Sequence, residues 1–220
     1  MNKPLHNEKQ FLESYYSFTV NIRPYIIKRL CDDYKKTTNH EEKDYLHVLV
    51  LEQWFLLYET LEGFFRSIKS RNRKSFLDSL NENLNIHNLH QALNNKSEMQ
   101  ILKELEIDLN KFPKEHSNKI LARITGLAGL WSNKKYVNLI NSLVPVFNKL
   151  KHKLLIYKED GELVIALNEK QQLFKKVLKD SKIKSGQHEE LKDVSSYDEM
   201  AELFKAAIKD LIAIRLLELK

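Results

Sequence analysis

A single cysteine, Cys31, in 220 residues excludes a disulfide framework and any cysteine-based zinc or iron–sulfur site. Five glycines and four prolines are too few for an all-β sandwich or barrel, which needs a turn signal every ~8–12 residues. Long apolar runs are missing as well. The most apolar stretch, Tyr45 to Tyr58, already contains His47, Glu52 and Gln53, and it falls short of the ~20 residues that a membrane span requires. The opening MNKPLHNEKQFLES has no apolar core of a signal peptide, so a cytoplasmic location with no membrane partner is expected. No Walker loop, dinucleotide fingerprint, serine triad or zinc signature occurs, and no cofactor is expected.

Acids are absent over one long stretch. From His116 to Lys158 there is no Asp or Glu, and eight basic residues give that segment a charge of +8 within a chain of net charge +6. Glu41 to Glu62 is the counterpart, with six acids against Lys43 and a local charge of −5. Such asymmetry suggests one face that attracts phosphates and one that repels them. The total basicity says less: 29 of the 36 basic residues are lysine and 18 residues are asparagine, a bias expected of an AT-rich coding sequence.

What is present is a core-forming composition, 42% hydrophobic and 30% charged, arranged at helical spacing. Phe11, Tyr15, Phe18, Ile22, Ile26 and Leu30 recur every three or four residues, which predicts a helix over about 8–36. Pro24 must kink or split it. Asn39 with Glu42 three residues on is a capping-box-like start for a helix reaching about Ser70. That helix is apolar nearly all round between Leu46 and Leu61 and is expected to be central. Further helices are predicted over about 73–83, 86–94, 97–107, 115–131 and 134–152, the last kinked near Pro145. Leu154 to Tyr157 and Glu162 to Leu167 flank Asp160-Gly161, a hairpin signal. A short helix over 168–179 follows, then a polar loop. Ser196 with Glu199 forms a second capping box ahead of a last helix to about 218. The expected fold is all-α: one helical bundle with a small β-hairpin before the C-terminal helices, laid out as an N-terminal helix (1–38), a core with the hairpin (39–167) and a C-terminal region (168–220).

The residues with chemistry to offer lie at the end of the 134–152 helix. Asn148 and His152 are four apart on one helical face, among Lys149, Lys151 and Lys153. Neighbouring cations disfavour imidazolium, so His152 tends toward a neutral base able to take a 2′-hydroxyl proton while the lysines stabilise phosphate charge. The plainer reading is a helix end whose lysines complement the dipole. A second basic cluster, Arg66, Lys69, Arg71, Arg73 and Lys74, holds three of the seven arginines and suits a nucleic-acid backbone. His87 and His90, near Glu82, are too few for a metal site without further ligands, and none is expected. Glu52 and Glu59, a heptad apart, form a polar seam on the buried helix, and Glu62 with Arg66 is a surface pair. Trp54 and Trp131 are core residues.

Asn148 and His152, with the order of elements over about 40–167, resemble the HEPN superfamily of all-helical prokaryotic domains. Family members carry an arginine, a polar residue and a histidine at a helix end. The resemblance implies a commonly dimeric, RNA- or nucleotide-associated protein of a class that includes metal-independent endoribonucleases of toxin and phage-defence systems. In that role His152 is the general base, Asn148 a positioning residue, and Lys149, Lys151 and Lys153 the phosphate contacts. Just ahead of the asparagine, where the family has its arginine, stand Pro145, Val146 and Phe147, and lysine does not form arginine's bidentate phosphate fork. The leading expectation is RNA or nucleotide binding, and the departure supports the alternative: a non-catalytic helical interaction or regulatory protein acting through protein–protein contacts.

Overall fold

The structure, a computed structural model, describes residues 8–70, 89, 92–140, 156–159, 162–167, 170–173 and 194–219. Its first helical rod comprises α1 (Glu8–Tyr15), a π-helical turn (Tyr16–Val20) and α2 (Asn21–Lys36). Pro24 lies inside α2, with the irregularity in the turn ahead of it. Proline has no N–H for the carbonyl four residues back, and its ring crowds that carbonyl. The wide π turn ends at that residue, Val20. The Asn21 side-chain amide donates to the Tyr16 carbonyl (3.2 Å) and the Ser17 carbonyl (3.0 Å), which helps satisfy the widened turn.

The extra residue shifts the phase of everything that follows. The buried positions of the rod are Leu12, Val20, Pro24, Ile27 and Cys31, whereas the spacing of the sequence marks Phe18 and Ile22 as core. Both are instead exposed.

The long helix α3 (His40–Ser70) starts as expected at Asn39, whose Oδ1 accepts from the Glu41 and Glu42 backbone N–H groups at 2.9 and 3.3 Å. The return half differs from a capping box: Glu42 takes the Thr37 hydroxyl, and the Asn39 N–H donates to that hydroxyl oxygen at 3.2 Å. α3 packs against α2 and the last helix, α6 (Ser195–Glu218), which also packs on α2 and α5 (Lys114–Ser132). Trp54 stacks on Tyr58 (centroids 5.7 Å, planes 7° apart), and both rings meet Phe204 of α6 at 5.1 and 5.3 Å. Trp131 approaches Phe204 from α5. The two tryptophans are buried as expected.

The capping box expected at Ser196 does not form. α6 has Val194 at its N-cap with no side-chain cap bond. Ser196 is buried, and Glu199 accepts from the Tyr136 hydroxyl (2.5 Å) and Lys135 Nζ (3.2 Å). A reciprocal box instead opens α4 (Glu98–Glu104): Gln100 N–H donates to Ser97 Oγ, and Ser97 N–H donates to Gln100 Oε1. Residues 134–140 are helical; Pro145 and the rest of the predicted 134–152 helix lie outside the described residues. β1 (Ile156–Glu159), β2 (Glu162–Leu167) and β3 (Lys170–Leu173) form an antiparallel sheet in chain order, with Ile156 opposite Ile165 and Val164 opposite Leu173. β3 falls where the sequence predicts a helix over 168–179. A third strand relieves the marginal stability of a two-stranded ribbon.

Candidate functional site

The phase shift at the π turn builds the most distinctive surface. Phe18, Ile22 and Tyr25 line the outer side of the first rod, with Phe18 70% and Tyr25 63% exposed. On α3, Tyr45, Leu49 and Leu56 form a second exposed row at spacings of four and seven. Soluble proteins scatter single exposed apolar residues freely, but a contiguous set marks an interaction site.

Both rows lie on one side of the helix pair. α2 and α3 run antiparallel: Arg23 Nη1 donates to Gln53 Oε1 at 3.2 Å, the rings of Tyr34 and His47 are 6.1 Å apart, and those of Tyr15 and Phe64 are 5.5 Å apart. Arg23 follows Ile22 by one residue, and Gln53 follows Glu52 by one, so each stands about 100° round its helix from the exposed row. In an antiparallel pair, flanks turned in the same sense meet only if both rows point the same way. Arg29 continues the α2 row and Glu52 lies within the α3 row. Both are exposed, and neither makes a hydrogen bond or ion pair among the described residues. Glu52 is thus no part of a buried seam, and Glu59 is half-buried.

The buried carboxylate is Glu62, 1% exposed, where the sequence suggests a surface pair with Arg66. The difference is positional: between Leu57 and Ile68, α3 is covered on most sides. Glu62 lies near enough to Tyr58 to add to the burial that pushes the phenol above its ordinary range. Glu62, Phe65, Arg66, Lys69, Leu89 and Glu104 line a cleft of about 270 Å³, with Lys69 ion-paired to Glu104. Arg66 therefore does reach a cavity, but it shares it with two carboxylates that would repel a phosphate.

The acid-free stretch is likewise met by acids from its edge and from α6. Lys119 pairs with Glu115, Arg123 with Asp210 (2.6 Å) and Lys135 with Glu199. Asn148, Lys149, Lys151, His152, Lys153, Arg71, Arg73, Lys74, Glu82, His87 and His90 lie outside the described residues. Among the described residues there is no group of three or more His, Cys, Asp or Glu that could hold a metal ion, and no helix is long and apolar enough to cross a membrane. Comparison with protein families, curated proteins and solved structures finds no match.

The outer face is what sequence reasoning missed. Its signal was present in Pro24 together with Asn21, whose amide can cap carbonyls released in the preceding turn. The period-3.6 pattern alone points Phe18 and Ile22 inward.

Proposed function

We propose that this chain is a non-catalytic helical interaction protein that works through protein–protein contacts on the outer face of α2 and α3. The observation that carries this reading is the set of six large apolar side chains, Phe18, Ile22, Tyr25, Tyr45, Leu49 and Leu56, exposed on one side of a helix pair. The acids paired with Lys69, Lys119, Arg123 and Lys135 support it from the other direction, since they weaken the case for a phosphate-gripping surface.

A HEPN-like ribonuclease is the second reading, and it rests on Asn148 and His152 standing four apart in a basic segment. Incubating RNA without added metal with wild-type protein, His152→Ala and buffer alone separates the two. Intact RNA in all three, with little RNA affinity at physiological salt, is the expected result. Cleavage by wild type that His152→Ala abolishes overturns the interaction reading. Tight RNA binding with a steep salt dependence counts against it in the same way, because counterion release is the mark of phosphate contacts.

A further inference from the structure

We infer that the outer face of α2 and α3 binds a second copy of this chain about a two-fold axis running along the helices, so that α2 of each copy lies over α3 of the other and Arg29 meets Glu52 twice. This rests on the reading of that face as a protein-contact surface and names its occupant.

The face is self-complementary, which is what an isologous dimer needs. Its α2 side is basic: between Ser14 and Cys31 there is no acid, against Arg23, Lys28 and Arg29. Its α3 side is acidic, with a charge of −5 over 41–62. Within the exposed rows this reduces to one cation, Arg29, and one anion, Glu52, both without a partner among the described residues. A lone basic helix from another protein would satisfy α3 and leave Arg29 unmatched, and an acidic one would do the reverse. A second copy supplies both.

The levels agree. The pairs Tyr15–Phe64, Arg23–Gln53 and Tyr34–His47 set the antiparallel register and place Arg29 level with residues 47–52 of α3. A two-fold axis along the helices preserves those levels. It therefore brings Arg29 of one copy to within about one helical turn of Glu52 of the other. By the same register, Ile22 meets the neighbourhood of Leu56. The other in-plane axis, across the helices, lays α2 on α2 and α3 on α3, which sets like charges together.

The test is sedimentation of the full chain over a range of micromolar concentrations, for wild type, Arg29→Glu, Glu52→Arg and the double variant. Wild type is expected to show a monomer–dimer equilibrium. Each single reversal places like charges opposite each other twice and should weaken self-association by on the order of tenfold or more. The double reversal should recover the dimer to within a few-fold of wild type, a rescue that general destabilisation does not produce. Both positions are exposed, so thermal melts at low concentration, where wild type is dissociated, should stay unchanged, whereas at higher concentration the wild-type dimer should melt above the single variants; Leu56→Glu, on the apolar row, should also dissociate the dimer. A wild-type chain that stays monomeric at every concentration overturns the proposal and leaves the face to a different protein. A dimer indifferent to the single reversals, or not restored by the double, overturns it as well. RNA cleavage dependent on His152 would instead sink the interaction reading itself, whatever the oligomeric state, so the two failures are distinguishable.

Discussion

The two sides of the α2–α3 pair are built from the same residue types and serve opposite ends. On the inner side, Val20, Ile27 and Cys31 of the first rod and Trp54, Leu57 and Tyr58 of α3 are buried, with Trp54 and Tyr58 against Phe204 of α6. On the outer side, Phe18, Ile22, Tyr25, Tyr45, Leu49 and Leu56 face water. Leu56 and Leu57 are neighbours in sequence, yet one is 38% exposed and the other 0%. Hydrophobicity alone therefore does not tell core from contact surface. Position around the helix does, and in the first rod that position is set by one inserted residue in the π turn. A π turn is frequent at functional sites, and here it swings an aromatic and an aliphatic side chain out of the core.

The comparison breaks most sharply at Leu57. Truncation to alanine deletes buried methyl groups and leaves a cavity, so Leu57→Ala should cost about 2–5 kcal/mol, read as a fall in the denaturant midpoint at unchanged slope. A loss under about 1 kcal/mol would mean that the inner face is not packed as described.

Acid should act on the inner side next. His47 has rings of Tyr34 and Tyr197 at 6.1 and 5.8 Å. Burial lowers its pKa from 6.5 to about 4, with Asp44 opposing. Between those values the unfolded chain holds the extra proton. Stability from the neutral imidazole is therefore complete above pH 6.5, declines as the pH falls toward 4, and then levels off. The full span is at most about 3 kcal/mol. His47→Phe should flatten the stability–pH curve over this window relative to wild type. Parallel curves for the two proteins would remove His47 as the cause.

Much of this architecture is legible in the sequence. Repeats of three and four located the helices ending near Lys36, Ser70, Ser132 and Glu218, because amphipathic spacing survives wherever the backbone keeps 3.6 residues per turn. The Asn39 cap was legible because its chemistry is local. Three things were not. The phase of the first rod was lost because Pro24 acts on the turn ahead of it rather than at its own position. Glu62 was misplaced because burial depends on what covers the C-terminal half of α3, and i,i+4 spacing with Arg66 carries no information about that. Ser196 and Glu199 matched a cap by spacing, but Tyr136 and Lys135, some sixty residues away in sequence, claim the carboxylate. The candidate site followed the same rule: the acidic run over 41–62 was visible, while the apolar rows became visible only once the phase was known.

The smallest expected effect is the one that most sharpens the contrast. Leu56→Ala removes the same atoms as Leu57→Ala, but from a side chain that is 38% exposed, so the gap it leaves is open to water and less apolar surface changes environment. Monomer stability should move by about 1 kcal/mol at most, well below its neighbour. Measured at low protein concentration, where any self-association is dissociated, chemical denaturation of the two variants side by side checks this directly. A loss at Leu56 approaching that at Leu57 would show that something covers the outer face within a single chain, and the surface proposed for a partner would then belong to the core.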